Sequence, residues 1–136
     1  MNHSTTLRPL LAVGCILGAL QAFIPSCTTA PAPDPATGVI SAEDRALAAA
    51  RFETHCSTCH GLDGKGHGPA SMSLNPAPAD WTDPDWQDSV DDEFLEIVIA
   101  AGGEAVGISS LMPASPYADR PGVMKALVEI VRGHGR

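Results

Sequence analysis

Five consecutive residues, Cys56-Ser57-Thr58-Cys59-His60, constrain this chain more than any other stretch. On a helix, positions three or four apart share a face. Cys56, Cys59 and His60 therefore project to one side, and Ser57 and Thr58 point elsewhere, free to be small and polar. Two thiols at this spacing can each form a thioether with a haem vinyl group, and the adjacent imidazole then lies under the iron as an axial ligand. A bare C-x-x-C also suits a thioredoxin-like dithiol or half of a zinc site. Zinc needs four ligands; no second cysteine pair follows Cys59, and His55, His67 and His134 form no second ligand pair. A thioredoxin fold needs βαβ patterning with β-branched runs, and the sequence has none. The adjacent His60 favours covalent haem.

A chain of 136 residues suggests one small domain plus an N-terminal extra. With 4% aromatic residues its protein-only core is thin, and small domains bury a limited share of their surface. A haem would supply a large apolar plate for helices to pack on, so the apoprotein is expected to fold poorly. The net charge of −8 argues against nucleic acid as a partner. Beyond Cys56 and Cys59, the remaining cysteines are Cys15 and Cys27, in or just after an apolar N-terminal run. No pair is left for a structural disulfide in the domain.

Three segments follow from this. Residues 1–27 read as a signal peptide or lipoprotein leader: the run Leu10 to Ile24, apolar except for Gln21, has the length of a signal-peptide core and is short for a spanning helix. Haem attachment outside the cytoplasm fits that export signal. Ile24-Pro25-Ser26-Cys27 is similar to a bacterial lipobox, with Pro25 a departure from it; cleavage after Ala30 and retention as an uncleaved anchor are the alternatives. Residues 28–40, with Pro31, Pro33 and Pro35, read as a stiff, extended linker. Residues 41–136 form the domain. The expected location is the periplasm, with membrane attachment through the N-terminus.

Within the domain the patterning predicts helices and loops only. Ser41 caps a first helix running to about Cys59, with Asp44 three residues on as in a capping box. Residues 61–78, broken by four glycines and three prolines, read as loop. A second helix is expected over Ser89 to Ala101, capped by Ser89, with Val90, Phe94, Ile97, Val98 and Ala101 as its apolar face, and ended by Gly102-Gly103. The last helix runs from Pro121 to Gly133, with Met124, Leu127, Val128 and Val131 on one stripe.

An iron held for electron transfer needs a second axial ligand, and a thioether raises the potential. Met72 lies on the loop leaving the His60 side, and Met124 fits a helix stripe, where a core role is usual. Met112 precedes Pro113, which pushes it into the extended geometry of a side chain thrust from a loop. Met112 is therefore the expected distal ligand, and the absence of a strong sixth ligand is the alternative.

Several motifs now agree in order. Cys56 to Gly61, Asp63-Gly64-Lys65-Gly66, Gly68-Pro69, Pro78-Ala79-Asp80 and Met112-Pro113 resemble a small bacterial class I cytochrome c, closest in pattern to the cytochrome c subunits of cbb-type oxidases. The resemblance covers about Ser41 to Arg136. It implies an all-α class I cytochrome c fold of three to four helices around one covalent haem c, bound by Cys56 and Cys59, with His60 as proximal and Met112 as distal iron ligand. It implies that Ala48 and Phe52 meet the C-terminal helix, where Ile130 replaces an aromatic. It also implies that the Pro69 carbonyl accepts a hydrogen bond from the second ring nitrogen of His60, and that Trp81 packs near the haem rim; a turn-shaping role for Pro69 and plain packing for Trp81 are the alternatives, and Trp86 gives no signal. The function implied is single-electron transfer between periplasmic or membrane-bound redox partners. No acid–base pair or nucleophile stands out, so an enzyme is not expected. If Met112 is labile, a five-coordinate haem sensor or weak peroxidase is the alternative; a dithiol redox protein is a third reading. The acidic run from Asp80 to Glu96 points to a partner with a basic docking surface.

Overall fold

The computed structural model describes residues 39–117 and 119–136. The leader, most of the linker and Cys15 and Cys27 lie outside the described residues. Among the described residues there are helices and turns but no strand. Helix α1 (Ala42–Arg51) passes into a π-helical turn (Phe52–Cys56) and then α2 (Ser57–His60), making one continuous helical run. With α3 (Pro84–Ser89), α4 (Asp92–Ala101) and α5 (Pro121–Gly133) this gives four helices, and the all-α expectation holds.

Helix α1 starts where the sequence places it. The Ser41 hydroxyl accepts from the Asp44 N–H at 3.0 Å, and the Asp44 carboxylate accepts from the Ser41 N–H at 3.1 Å, so two otherwise unpaired donors are satisfied. At the other end of the domain, α5 begins with Pro121 in its first turn. These two helices form the largest packed contact. Ala48 and Val123 are fully buried, and Met124, Ala126 and Leu127 complete the cluster with Ile130 against it. A salt bridge from Arg45 to Glu129 closes its edge.

The second expected helix starts later than its sequence signal, and a short unexpected helix precedes it. Asp83 caps α3 by accepting from the Asp85 N–H at 2.9 Å, with Pro84 opening the helix. Val90 breaks the run in an extended conformation, and Asp91, not Ser89, caps α4 by accepting from the Phe94 N–H at 2.7 Å. Ser89 ends α3 and donates to the Trp86 carbonyl. The buried face also differs from the expected one: Leu95 and Val98 point inward with Ile99, whereas Ile97 is 46% exposed and Ala101 is exposed. The break is held by side chains from elsewhere. Arg132 of α5 donates to the carbonyls of Gln87 and Val90, both at 2.7 Å, and pairs with Asp92 at 2.8 Å. The Gln87 amide in turn donates to the carbonyls of Trp81 and Val131.

Candidate functional site

The C-x-x-C-H segment sits at the end of the long helical run, and its position depends on how that run is terminated. The last carbonyls of a helix have no partner within it. Here the following loop turns back and supplies three: the Gly66 N–H donates to the His60 carbonyl at 2.8 Å, Gly68 to Cys59 at 3.0 Å, and Ala70 to Thr58 at 2.8 Å. This requires close approach of backbones. A Cβ at Gly68 would lie 2.4 Å from the carbonyl oxygens of both Ser57 and Thr58. Ser57 is correspondingly not free, as the sequence suggested, but buried, with its hydroxyl donating to the Glu53 carbonyl at 2.7 Å.

Cys56, Cys59 and His60 all line one cavity of about 430 Å³. The spacing argument therefore reaches the right face even though Cys56 lies in a π-helical turn. The opposite walls are apolar: Phe94, Leu95, Val98 and Ile99 from α4, and Leu127 and Val131 from α5. Leu74, Pro76 and Ala77 add a third wall from the loop. Arg51 and His55 also reach the cavity; neither was singled out from the sequence at that position.

Met112 lines the same cavity, brought there by two backbone hydrogen bonds on the end of α4. The Gly103 N–H donates to the Met112 carbonyl at 2.9 Å, and the Ser115 N–H donates to the Ile99 carbonyl at 2.8 Å. Gly102, at φ 83°, ends the helix so that the chain can turn under this strap. The other two candidates are elsewhere. Met72 is 95% exposed, and Met124 is buried in the α1–α5 core. His67 is exposed on the loop.

The family model described as Cytochrome c matches residues 46–123, which span both the C-x-x-C-H segment and the Met112 strap. The chain belongs to the cytochrome c family. None of the curated proteins matches it. Membership makes covalent haem c the cofactor of this cytochrome and electron carriage its general role. The residues fit that group: an apolar cavity with two half-buried thiols and an imidazole on one wall and a thioether on another suits a flat, largely apolar macrocycle. When bound, haem supplies an iron that alternates between ferrous and ferric states.

The cytochrome's own side chains set the electrostatics of the cavity. Burial pushes the Cys56 thiol up, against an opposing pull from Arg51. Burial also pushes the His60 imidazole down to about 4, against an opposing hydrogen bond with the Ala79 backbone. A neutral imidazole keeps a lone pair available for a metal. The expected hydrogen bond from His60 to the Pro69 carbonyl is not formed: Nδ1 makes no close hydrogen bond, and the backbone that faces the imidazole is that of Ala79. The Pro69 region instead follows the capping loop, whose amides are spent on helix carbonyls. What lies against the His60 ring is Trp81, stacked at a centroid distance of 4.2 Å and an interplanar angle of 22°. From the sequence, Trp81 was expected at the haem rim or as plain packing, and Trp86 gave no signal; both line the cavity.

Proposed function

We propose that this cytochrome is a mono-haem carrier that moves one electron at a time between periplasmic or membrane-bound redox partners. Cys56 and Cys59 hold the macrocycle through thioethers, His60 is the proximal iron ligand and Met112 the distal one. The observation that carries this is the convergence of Met112 with Cys56, Cys59 and His60 on one apolar cavity, while Met72 and Met124 face away from it. The sequence contains one C-x-x-C-H segment, hence one haem. The chain groups with the cytochrome c subunits of cbb-type oxidases by the order of its motifs. In this reading the protein acts as a carrier, not an enzyme.

Met112→Ala tests the ligand set. It should abolish the thioether-to-iron charge-transfer band, lower the potential and let the reduced form bind CO, while Met72→Ala and Met124→Ala keep the band. Loss of the band in Met72→Ala instead would overturn the assignment. A wild type that binds CO as readily as Met112→Ala would point to the sensor or peroxidase alternative.

The partner presents a basic surface to the acidic run, in which Asp80, Asp83, Asp85, Asp88, Asp91, Asp92 and Glu93 are all exposed. The N-terminal segment delivers the domain to the periplasm and tethers it to the membrane through Cys27. Cys27→Ala should then shift the protein from the membrane fraction to the soluble one; an unchanged distribution would exclude lipid anchoring.

A further inference from the structure

The charge on the cavity wall runs against the charge of the chain. The sequence carries 16 carboxylates against 8 Lys and Arg side chains. Among the described residues no Asp, Glu or Lys lines the cavity, and Arg51 is the one side chain there that is charged at every ordinary pH.

No structural duty accounts for that arginine. The salt bridges among the described residues use Arg45, Arg120 and Arg132, and Arg51 is in none of them. It lies in the last turn of α1, where a cation ordinarily answers the helix dipole. The helical run continues through Cys56 to His60, however, so the unpaired carbonyls stand at His60 and not at Arg51. Register brings Arg51 to the wall. Arg51, His55 and Cys59 fall four apart, as do Phe52, Cys56 and His60 on the neighbouring stripe, and both stripes line the cavity. Arg51 is half-buried, and an arginine can lay its stem along apolar surface while its head reaches water. Its charge is felt inside the cavity, where it opposes the burial that pushes the Cys56 thiol up. His55 is a lesser source of charge. The Thr54 hydroxyl donates to the Ala50 carbonyl at 2.7 Å and so accepts from His55 Nδ1–H at 2.7 Å. That ring is exposed, and imidazoles are neutral at alkaline pH.

We propose that Arg51 raises the reduction potential of the haem held in this cavity, by fixing one positive charge on a wall that has no carboxylate to offset it. The inference rests on the proposed haem site of Cys56, Cys59, His60 and Met112. The ferric state carries one more positive charge than the ferrous state. A fixed cation therefore destabilises the ferric state more, and the electron is held more tightly. Across about 10 Å at an effective dielectric of about 20, one unit charge moves such an equilibrium roughly tenfold. For one electron a tenfold change is about 59 mV.

The test is a spectroelectrochemical titration of the haem-loaded protein at about pH 9, above the imidazole range. The thioether-to-iron charge-transfer band is recorded on each sample. Arg51→Gln should shift the reduction equilibrium roughly tenfold toward the ferric form. Arg51→Lys should keep most of the wild-type potential, and Arg51→Glu should fall further than Arg51→Gln. Arg45→Gln removes the same charge from the exposed pair with Glu129 and should move the equilibrium by less than about twofold, the more so at high salt, which screens exposed charges first. If Arg51→Gln takes up no haem, Arg51→Met, which keeps an apolar stem, replaces it under the same criteria. An unchanged potential in the neutral variant with its band intact overturns the inference. So does an equal fall in Arg45→Gln, which would assign the effect to net charge. A wild type without the charge-transfer band would instead overturn the Met112 ligand reading, a distinct failure.

Discussion

Gly68→Ala is the most direct test of how the C-x-x-C-H segment is held. The new Cβ would lie 2.4 Å from the Ser57 and Thr58 oxygens and 2.6 Å from the Thr58 carbonyl carbon. All three are backbone atoms, so no side chain can swing away. Reaching even 3.0 Å requires a retreat of 3.0 − 2.4 = 0.6 Å. That motion lengthens the Gly68-to-Cys59 hydrogen bond from 3.0 Å beyond useful range, and the Gly66 and Ala70 bonds lie on the same segment. A net hydrogen bond is worth roughly 0.5–1.5 kcal/mol, so weakening three should cost ~2–4 kcal/mol. In guanidinium chloride, with a slope of about 3 kcal/mol per molar for a domain of this size, the midpoint should fall by roughly 1 M. Helical circular dichroism of the haem-loaded protein gives that midpoint. Gly133→Ala is the control: nothing lies within 4 Å of its Cβ position, and the residue is helical. It should be neutral or stabilising by up to ~1 kcal/mol. A cost below ~1 kcal/mol for Gly68→Ala would refute the idea that backbone contact across this loop holds the helix end.

Two further outcomes follow from particular side chains. Hydrogen bonds from Ser41, helped by Arg120, hold the Asp44 carboxyl below its usual range, so it contributes stability above the unfolded value near 3.8 that is lost as pH falls through the folded value. Asp44→Asn should therefore flatten the acid limb of a stability–pH profile, and an unchanged limb would show that the capping box does not drive it. Electron exchange with a basic partner should slow as salt shortens the Debye length, and Asp88→Asn with Glu93→Gln should weaken that dependence; a rate that rises with salt would exclude a basic docking surface.

Those two sites are chosen because much of the acidic run has local duties. Asp83 and Asp91 cap helices, Asp80 accepts from the Thr82 N–H and hydroxyl, and Asp92 pairs with Arg132. Reversing charge at Asp91 would change α4 as well as the surface field. Asn at Asp83 or Asp91 keeps a capping oxygen and removes the charge, so it separates the two effects.

The parts of the fold legible in the sequence are those written in neighbouring residues. The Ser41–Asp44 box, Pro121 at the start of α5, the glycine stop at Gly102 and the C-x-x-C-H face all need only local spacing. Met112 was legible for a similar reason, since Pro113 restricts it. What stayed hidden depends on distant partners or on competing local signals. Ser89 and Asp91 are both good caps two residues apart, and the break between α3 and α4 is held by Arg132, more than forty positions along, donating to the Gln87 and Val90 carbonyls. Counting Val90 as helical draws the apolar stripe through Phe94 and Ile97, whereas with Val90 extended the buried residues of α4 are Leu95 and Val98. The Asp83-Pro84 start of α3 did carry a local signal, an N-cap before proline, in a stretch to which the patterning assigned no element. The π-helical turn at Phe52–Cys56 has no pattern of its own. The stacking of Trp81 on His60 follows from how the capping loop returns, which spacing alone does not specify.

The α1–α5 contact also sets the timing of folding. Ala48 and Val123 are both fully buried in one cluster, yet they stand 123 − 48 = 75 positions apart. Joining the ends of a segment that long costs about 4 kcal/mol in chain entropy before constants are added, which the buried cluster must offset. The cluster cannot close until Pro121–Gly133 has been synthesised. Until α5 docks, the cavity that Cys56 and Cys59 line lacks the wall that Leu127 and Val131 supply.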